Sequence, residues 1–282
     1  MGRIRATCVG LIGAILVASA GRAADDPALI ARGKYLATAA DCLACHTGPD
    51  AKPYAGGVEL KTPFGTIVSP NITPDKDTGI GAWTDDEFVS ALWEGRGHNG
   101  KRLFPAMPYP SFTLMTKDDV LAIRAYLKTV EPVSARIESN RLPFPFSLRI
   151  NLAIWNLINF REGRFEPDPV RSAQWNRGRY LVDALEHCTV CHTPKNLLGG
   201  DKSSAYLAGA SLQGWFAPPI KPNHDGKGPD AYKDDELFRL LRTGQNGKDM
   251  PGGPMAEVIA KSTSQLTDED LNSIIAYLKD KP

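Results

Sequence analysis

Sulfur is scarce in this chain and concentrated in a few places. Five cysteines and five methionines occur in 282 residues, and four of the cysteines fall in two matching pentads. The fifth, Cys8, lies in the N-terminal stretch, so no thiol is left for a structural disulfide once that stretch is set aside. An excess of charge of one sign is also lacking. The 33 basic and 32 acidic residues give a formal charge of +1, which excludes the basic footprint of a nucleic-acid binder. The N-terminal apolar run, Cys8 to Ala20, is thirteen residues long, short of the ~20 that a bilayer-spanning helix needs.

That run follows Arg3 and Arg5 and ends at Gly21-Arg22-Ala23, the three-part layout of an export signal. Residues 1–23 are therefore expected to be cleaved near Ala23. Loss of Arg3, Arg5 and Arg22 leaves a formal charge of −2 on roughly 259 residues, enough for two small domains.

What is present is two Cys-x-x-Cys-His pentads, Cys42-Leu-Ala-Cys45-His46 and Cys188-Thr-Val-Cys191-His192. Two thiols at this spacing can add to the two vinyl groups of one haem while the adjacent imidazole ligates iron. A thioredoxin-like site does not need the fifth-position histidine, and a zinc site would need the two pairs to cooperate. Two complete copies predict two covalently bound haem c groups, held by Cys42, Cys45, Cys188 and Cys191, with His46 and His192 on iron. Attachment of this kind takes place outside the cytoplasmic membrane, so export signal and pentads together place the protein in a bacterial periplasm. Pro49 and Pro194 follow the pentads closely, and a carbonyl beside each is expected to accept from the second ring nitrogen of the histidine.

The chain repeats itself around the pentads. Gly33-Lys34-Tyr35-Leu36 leads into the first and Gly178-Arg179-Tyr180-Leu181 into the second. Asp85-Asp86-Glu87-Phe88 is echoed by Asp234-Asp235-Glu236-Leu237, and each opens an apolar helical stretch that stops at a glycine, Gly95 or Gly244. Both copies close on an apolar helix, Val120 to Leu127 and Leu271 to Leu278. Each half thus reads as helix, pentad, long loop, short helix, methionine loop, closing helix. The order resembles the class I cytochrome c fold, in which first and last helices cross and haem fills the core. A half of about a hundred residues has a modest core, so neither is expected to fold well without haem. The predicted architecture is mainly α, with two tandem cytochrome c domains over 24–132 and 173–282 joined by a proline-rich, partly helical linker over 133–172.

Four methionines beyond Met1 are candidates for a sixth ligand. Met107 sits in Phe104-Pro105-Ala106-Met107-Pro108-Tyr109-Pro110, where prolines stiffen the backbone, whereas Met115, near the closing helix, reads as a packing residue. In the second half, Met250 and Met255 both lie between the short and closing helices. His46 to Met107 spans 61 positions, His192 to Met255 spans 63 and His192 to Met250 spans 58, which favours Met255. His98 and His224 read as surface loop imidazoles and His187 as an exposed neighbour of Cys188. Two His/Met irons leave no position open to substrate, which weighs against a dihaem enzyme of the peroxidase or thiosulfate-oxidising type.

The stretch Ser69-Pro70-Asn71-Ile72-Thr73-Pro74-Asp75, then Thr78 to Phe88, then Leu103 to Phe112 closely resembles the cytochrome c subunits of membrane-associated bacterial dehydrogenases that oxidise alcohols, aldehydes, gluconate or sorbitol. Gly253-Pro254-Met255-Ala256-Glu257-Val258 and Leu266-Thr267-Asp268 resemble the same family in the second half. The resemblance implies a carrier that passes single electrons from a partner dehydrogenase to a downstream acceptor, with Met107 and Met255 as axial ligands. Family members typically carry three haem domains, so the membrane and quinone contacts assigned to the third are not implied; membrane contact is expected to be peripheral. Between the halves, Pro143-Phe144-Pro145-Phe146 leads to Ile150, Ile154, Trp155, Leu157, Ile158 and Phe160. The simplest reading is interdomain packing, with a dehydrogenase or membrane contact as the alternative.

Overall fold

A computed structural model describes residues 26–49, 51–138, 140–212, 214–222 and 228–280. The predicted export segment and His224 lie outside these residues. In the first half, α1 (Pro27–Ala39) runs into the single-turn pentad helix α2 (Cys42–Cys45), then the hairpin β1 (Glu59–Thr62) and β2 (Gly65–Val68), α3 (Asp85–Glu94), the short α4 (Tyr109–Phe112) after the Met107 loop, and the closing helix α5 (Lys117–Leu127). After the linker helix α6 (Ile150–Asn159) the order recurs: α7 (Ala173–Tyr180), extended by one π turn over Leu181–Leu185, then α8 (Thr189–His192), the hairpin β3 (Ala210–Leu212) and β4 (Trp215–Ala217), α9 (Asp234–Thr243), α10 (Gly253–Lys261) and α11 (Asp268–Leu278). Among the described residues no helix is long and apolar enough to cross a membrane.

Helix ends follow the punctuation in the sequence. Thr84 caps α3 through a reciprocal box with Glu87, in which Glu87 N–H donates to Thr84 Oγ1 at 3.1 Å and Thr84 N–H to Glu87 Oε2 at 2.9 Å. Gly95 and Gly244 terminate α3 and α9 in the left-handed region, at φ 64° and 75°, where glycine carries no Cβ penalty. Thr116 and Thr267 cap α5 and α11.

The first and closing helices cross where the repeated glycines sit. A Cβ on Gly33 would lie 1.9 Å from the Ala122 carbonyl oxygen of α5, and one on Gly178 1.9 Å from the Ser273 carbonyl oxygen of α11. Glycine inside a helix costs ~1 kcal/mol against alanine, and here that cost is offset by backbone-to-backbone approach. The two halves share one contiguous apolar cluster, from Leu36, Phe88 and Ile123 in the first to Leu181, Leu185 and Ile274 in the second.

The linker departs from its expected role. Its start adds a rung to the first hairpin, with Thr66 and Arg141 exchanging backbone bonds of 3.0 and 2.8 Å. Helix α6 does bridge the halves, but largely through its polar atoms. Asn156 Oδ1 accepts from Tyr109 at 2.5 Å, Trp155 Nε1 donates to the Leu198 carbonyl at 2.8 Å, and Asn159 Oδ1 accepts from Asn196 at 2.7 Å. Ile150, Ile154, Leu157 and Ile158 face outward, 55–77 % exposed. The apolar stripe that suggested interdomain packing is thus on the outside, and of the helix's aliphatic residues only Leu152 is buried.

Candidate functional site

Each pentad is held in an almost identical cage of backbone bonds. His46 Nδ1 lies 2.8 Å from the Pro70 carbonyl, and His192 Nδ1 lies 2.7 Å from the Pro218 carbonyl. The carbonyls beside Pro49 and Pro194, expected from sequence proximity, do not play this part. The acceptor comes from a segment 24 to 26 residues downstream, brought back by the hairpin. This bond fixes the ring and places the proton on Nδ1, leaving Nε2 as the lone-pair nitrogen. Burial holds both imidazoles below their ordinary pKa, against the opposing pull of the carbonyls. A buried neutral histidine with one nitrogen already satisfied is the form that ligates iron.

Behind the histidine, Gly56 N–H donates to the His46 carbonyl and Gly209 N–H to the His192 carbonyl, both at 2.8 Å. Both glycines sit at positive φ, 79° and 83°. A Cβ on Gly56 would lie 2.5 Å from the Pro70 carbonyl carbon, and one on Gly209 2.8 Å from the Pro219 nitrogen. Only glycine lets the proline segment come close enough to reach the imidazole. Two residues earlier, Tyr54 and Leu207 adopt φ 64° and 52°. Their N–H groups are each bound at 3.1 Å by the hydroxyl directly after the pentad histidine, Thr47 or Thr193. Sequence reasoning missed these threonines and glycines. The signal was present as an unread identity, since both pentads continue with threonine.

The thiols are unpaired and half-buried. Burial pushes Cys42 up to about 12 and Cys45 up to about 11, and raises Cys188 and Cys191 too. A redox-active Cys-x-x-Cys works with a depressed thiol pKa, so these pairs are poor exchange thiols. Among the described residues no three or more His, Cys, Asp or Glu side chains converge on a point, so the pentads do not pool into a zinc site. A buried neutral imidazole beside two protonated, unpaired thiols fits haem c on both sides.

The methionines separate by position. Met115 is fully buried, and Trp93 Nε1 donates to its carbonyl at 3.0 Å. Met107 is half-buried against the core, and its backbone is bracketed by bonds from Met107 N–H to Phe104 (3.0 Å) and from Tyr109 N–H to Met107 (2.7 Å). Met255 is half-buried in the first turn of α10, whereas Met250 is 79 % exposed. His98 stacks on Trp83 and holds Glu87 Oε1 at 2.7 Å, engaged and partly exposed. His187, expected at the surface, is instead wedged between the halves. Its ring lies edge-on to Phe112 at 5.6 Å, and burial lowers its pKa to about 4 against the opposing pull of the Ala40 backbone.

Comparison with known proteins agrees with the doubled architecture. Residues 30–131 match the family described as Cytochrome c, and residues 173–278 the family described as Cytochrome C oxidase, cbb3-type, subunit III. The chain is 46 % identical over 256 residues to the fructose dehydrogenase cytochrome subunit of Gluconobacter japonicus, covering 90 % of this chain and 52 % of that one. It is 45 % identical over 253 residues to a nicotinate dehydrogenase subunit of Pseudomonas putida, covering 89 % of this chain and 21 % of that one. It therefore spans about half or less of those dehydrogenase subunits. A diheme cytochrome c-type protein of Cereibacter sphaeroides matches along nearly its whole length, 37 % identical over 284 residues, with 92 % of this chain and 90 % of the relative covered. The Gluconobacter and Cereibacter relatives are both named as cytochromes. The chain belongs to the dihaem c-type cytochromes, a family shared with the cytochrome subunits of bacterial dehydrogenases, and carries two covalently bound haem c groups.

Proposed function

We propose that this protein is a periplasmic electron relay, taking single electrons from a partner dehydrogenase and handing them to a downstream acceptor such as a soluble cytochrome, an oxidase or a quinone. The observation that carries the reading is the pair of Nδ1-to-carbonyl bonds, His46 to Pro70 and His192 to Pro218, which leave one ring nitrogen per half free to ligate iron. Bound haem c supplies a one-electron valence change at iron. In this reading His46 and Met107 serve one iron, His192 and Met255 the other, and the four pentad cysteines anchor the macrocycles.

The chain's own residues orient and exclude. The cage of Thr47, Gly56 and Pro70, with its counterpart of Thr193, Gly209 and Pro218, holds each imidazole against rotation. The prolines around Met107 and the helical start of Met255 limit where each thioether can go. The exposure of Met250 supports Met255 as its half's ligand. The named dehydrogenase relatives support a dehydrogenase as electron donor.

Co-purification of the holoprotein from its native host, with mass spectrometry of what stays bound, tests the reading. A dehydrogenase whose substrate reduces both haems in the isolated complex is expected. A protein that turns over peroxide or thiosulfate alone, with a high-spin haem, would overturn it.

A further inference from the structure

We propose that Tyr35 and Tyr180 are positioning residues that set the separation of the two haem c groups by clasping each half to the other. This rests on the relay reading above. Each tyrosine lies two residues beyond a helix-crossing glycine and reaches out of its own half. Tyr35 Oη donates to Asp270 Oδ2 at 2.5 Å and accepts from the Thr267 N–H at 3.2 Å. Tyr180 Oη donates to Asp119 Oδ2 at 2.5 Å and accepts from the Thr116 N–H at 3.2 Å.

The two clasps are the same contact made in opposite directions, as at a two-fold interface where residue i meets j and j meets i. Asp119 and Asp270 occupy the same place in the first turn of their closing helices, capped by Thr116 and Thr267. Both are buried, at 3 % and 6 % exposure. Each carboxylate is also gripped by an arginine of its own half: Arg32 reaches Asp119 Oδ1 at 2.5 Å, and Arg177 reaches Asp270 at 2.8 and 2.7 Å. The tyrosine therefore binds a carboxylate already fixed in place, through a charge-assisted bond stronger than a neutral one.

The same interface brings each pentad against the methionine side of the other half. Thr189, inside the second pentad, lies 3.3 Å from Ser111 of α4, which follows the Met107 loop. Ser262, just beyond α10, donates to the Ala39 carbonyl at 3.2 Å, three residues before Cys42. A shift of one half against the other changes the spacing of the pentads and stretches the clasps. Phenylalanine keeps the ring in place and removes only the bridging oxygen.

The test is the Y35F/Y180F holoprotein, alongside each single variant. Mass and absorption first establish that both haems are attached and both iron environments unchanged. Pulsed dipolar EPR between the two ferric haems then reads their separation, and pulse reduction reads the rate of internal electron redistribution. The double variant should show a broader distance distribution and a several-fold slower redistribution, and each single variant part of both changes. A distance distribution and rate equal to the parent's in variants with two intact haems would overturn the proposal while leaving the relay intact. Should the double variant fail to fold, single variants indistinguishable from the parent would overturn it equally. A parent protein with only one attached haem would instead sink the relay reading itself.

Discussion

The two halves share a skeleton of hydrogen bonds almost atom for atom and differ in the side chains laid over it. Both tie the pentad histidine to a proline carbonyl, both use the threonine after the pentad to hold a downstream backbone N–H, and both cross their end helices at a glycine. Yet the first half fixes its proline segment with Asn71, whose side chain bonds Thr73, Thr78 and the Val133 carbonyl, where the second has Pro219. Helix α3 buries Phe88, Val89, Ala91 and Leu92, whereas α9 buries only Leu237. The lesson is that the placement of the pentad histidines is set by backbone and a few small residues, which tolerate much change in the surrounding packing.

The largest way to break the comparison is to withhold haem. Both halves should then lose cooperative folding together, because each depends on the macrocycle for its core. Far-UV circular dichroism of protein made without attachment machinery checks this, and a half that keeps a sharp melting transition would contradict it.

The next sharpens a difference in sign. Asp41 and His187 both directly precede a pentad, both at positive φ, 49° and 39°, and they titrate oppositely. Burial, reinforced by Glu257 and opposed by Lys261, raises Asp41 from 3.8 to about 7. Between those values the folded state keeps a proton that the unfolded state has released, so stability falls as pH rises from about 4 to 7. His187, lowered from 6.5 to about 4, is protonated only in the unfolded state between those values, so its contribution rises with pH over that window and is complete above it. The two slopes oppose each other over nearly the same window, so in urea titrations of the holoprotein from pH 4 to 8 Asp41→Asn should unmask a rise in stability with pH and stabilise the alkaline end by up to about 4 kcal/mol, and His187→Asn should unmask a fall.

How much of this was legible beforehand varies by residue. The pentads, the glycine stops at Gly95 and Gly244 and the closing helices follow from local chemistry, and local chemistry is what a sequence displays. Pro70 and Pro218 were out of reach because the hairpins carry them back over more than twenty residues. The outward apolar face of α6 defied its periodicity because a stripe reports amphipathy and not which side meets the protein. His187 reads as exposed only while the halves are imagined apart.

The crossing glycines offer a test of equality. Gly33→Ala and Gly178→Ala each push a methyl into a facing carbonyl, and each should cost roughly 1–3 kcal/mol through forced helix separation, measured by chemical denaturation of the holoprotein. A large cost at one site and none at the other would mean that the two crossings are not equivalent. The smallest effect is expected at Arg124, buried at 2 % exposure, where the matching position of α11 is Ile275. Its guanidinium donates to the Trp83 carbonyl at 2.7 Å and lies 3.6 Å from the exposed Asp85 carboxylate, while Nε and Nη1 lack hydrogen bonds. Arg124→Ile imports the other half's solution, and replacing a poorly satisfied buried charge by an apolar side chain is often neutral or stabilising. A change within about 1 kcal/mol in the same assay is expected.

The central claim is one imidazole and one thioether on each of two irons. The far-red absorption band of ferric iron bound to a thioether, recorded on the holoprotein and on three methionine variants, tests it most directly. Met107→Ala and Met255→Ala should each abolish half of the band, and Met250→Ala should leave it whole. A band that survives either of the first two substitutions, or halves with the third, would contradict the account.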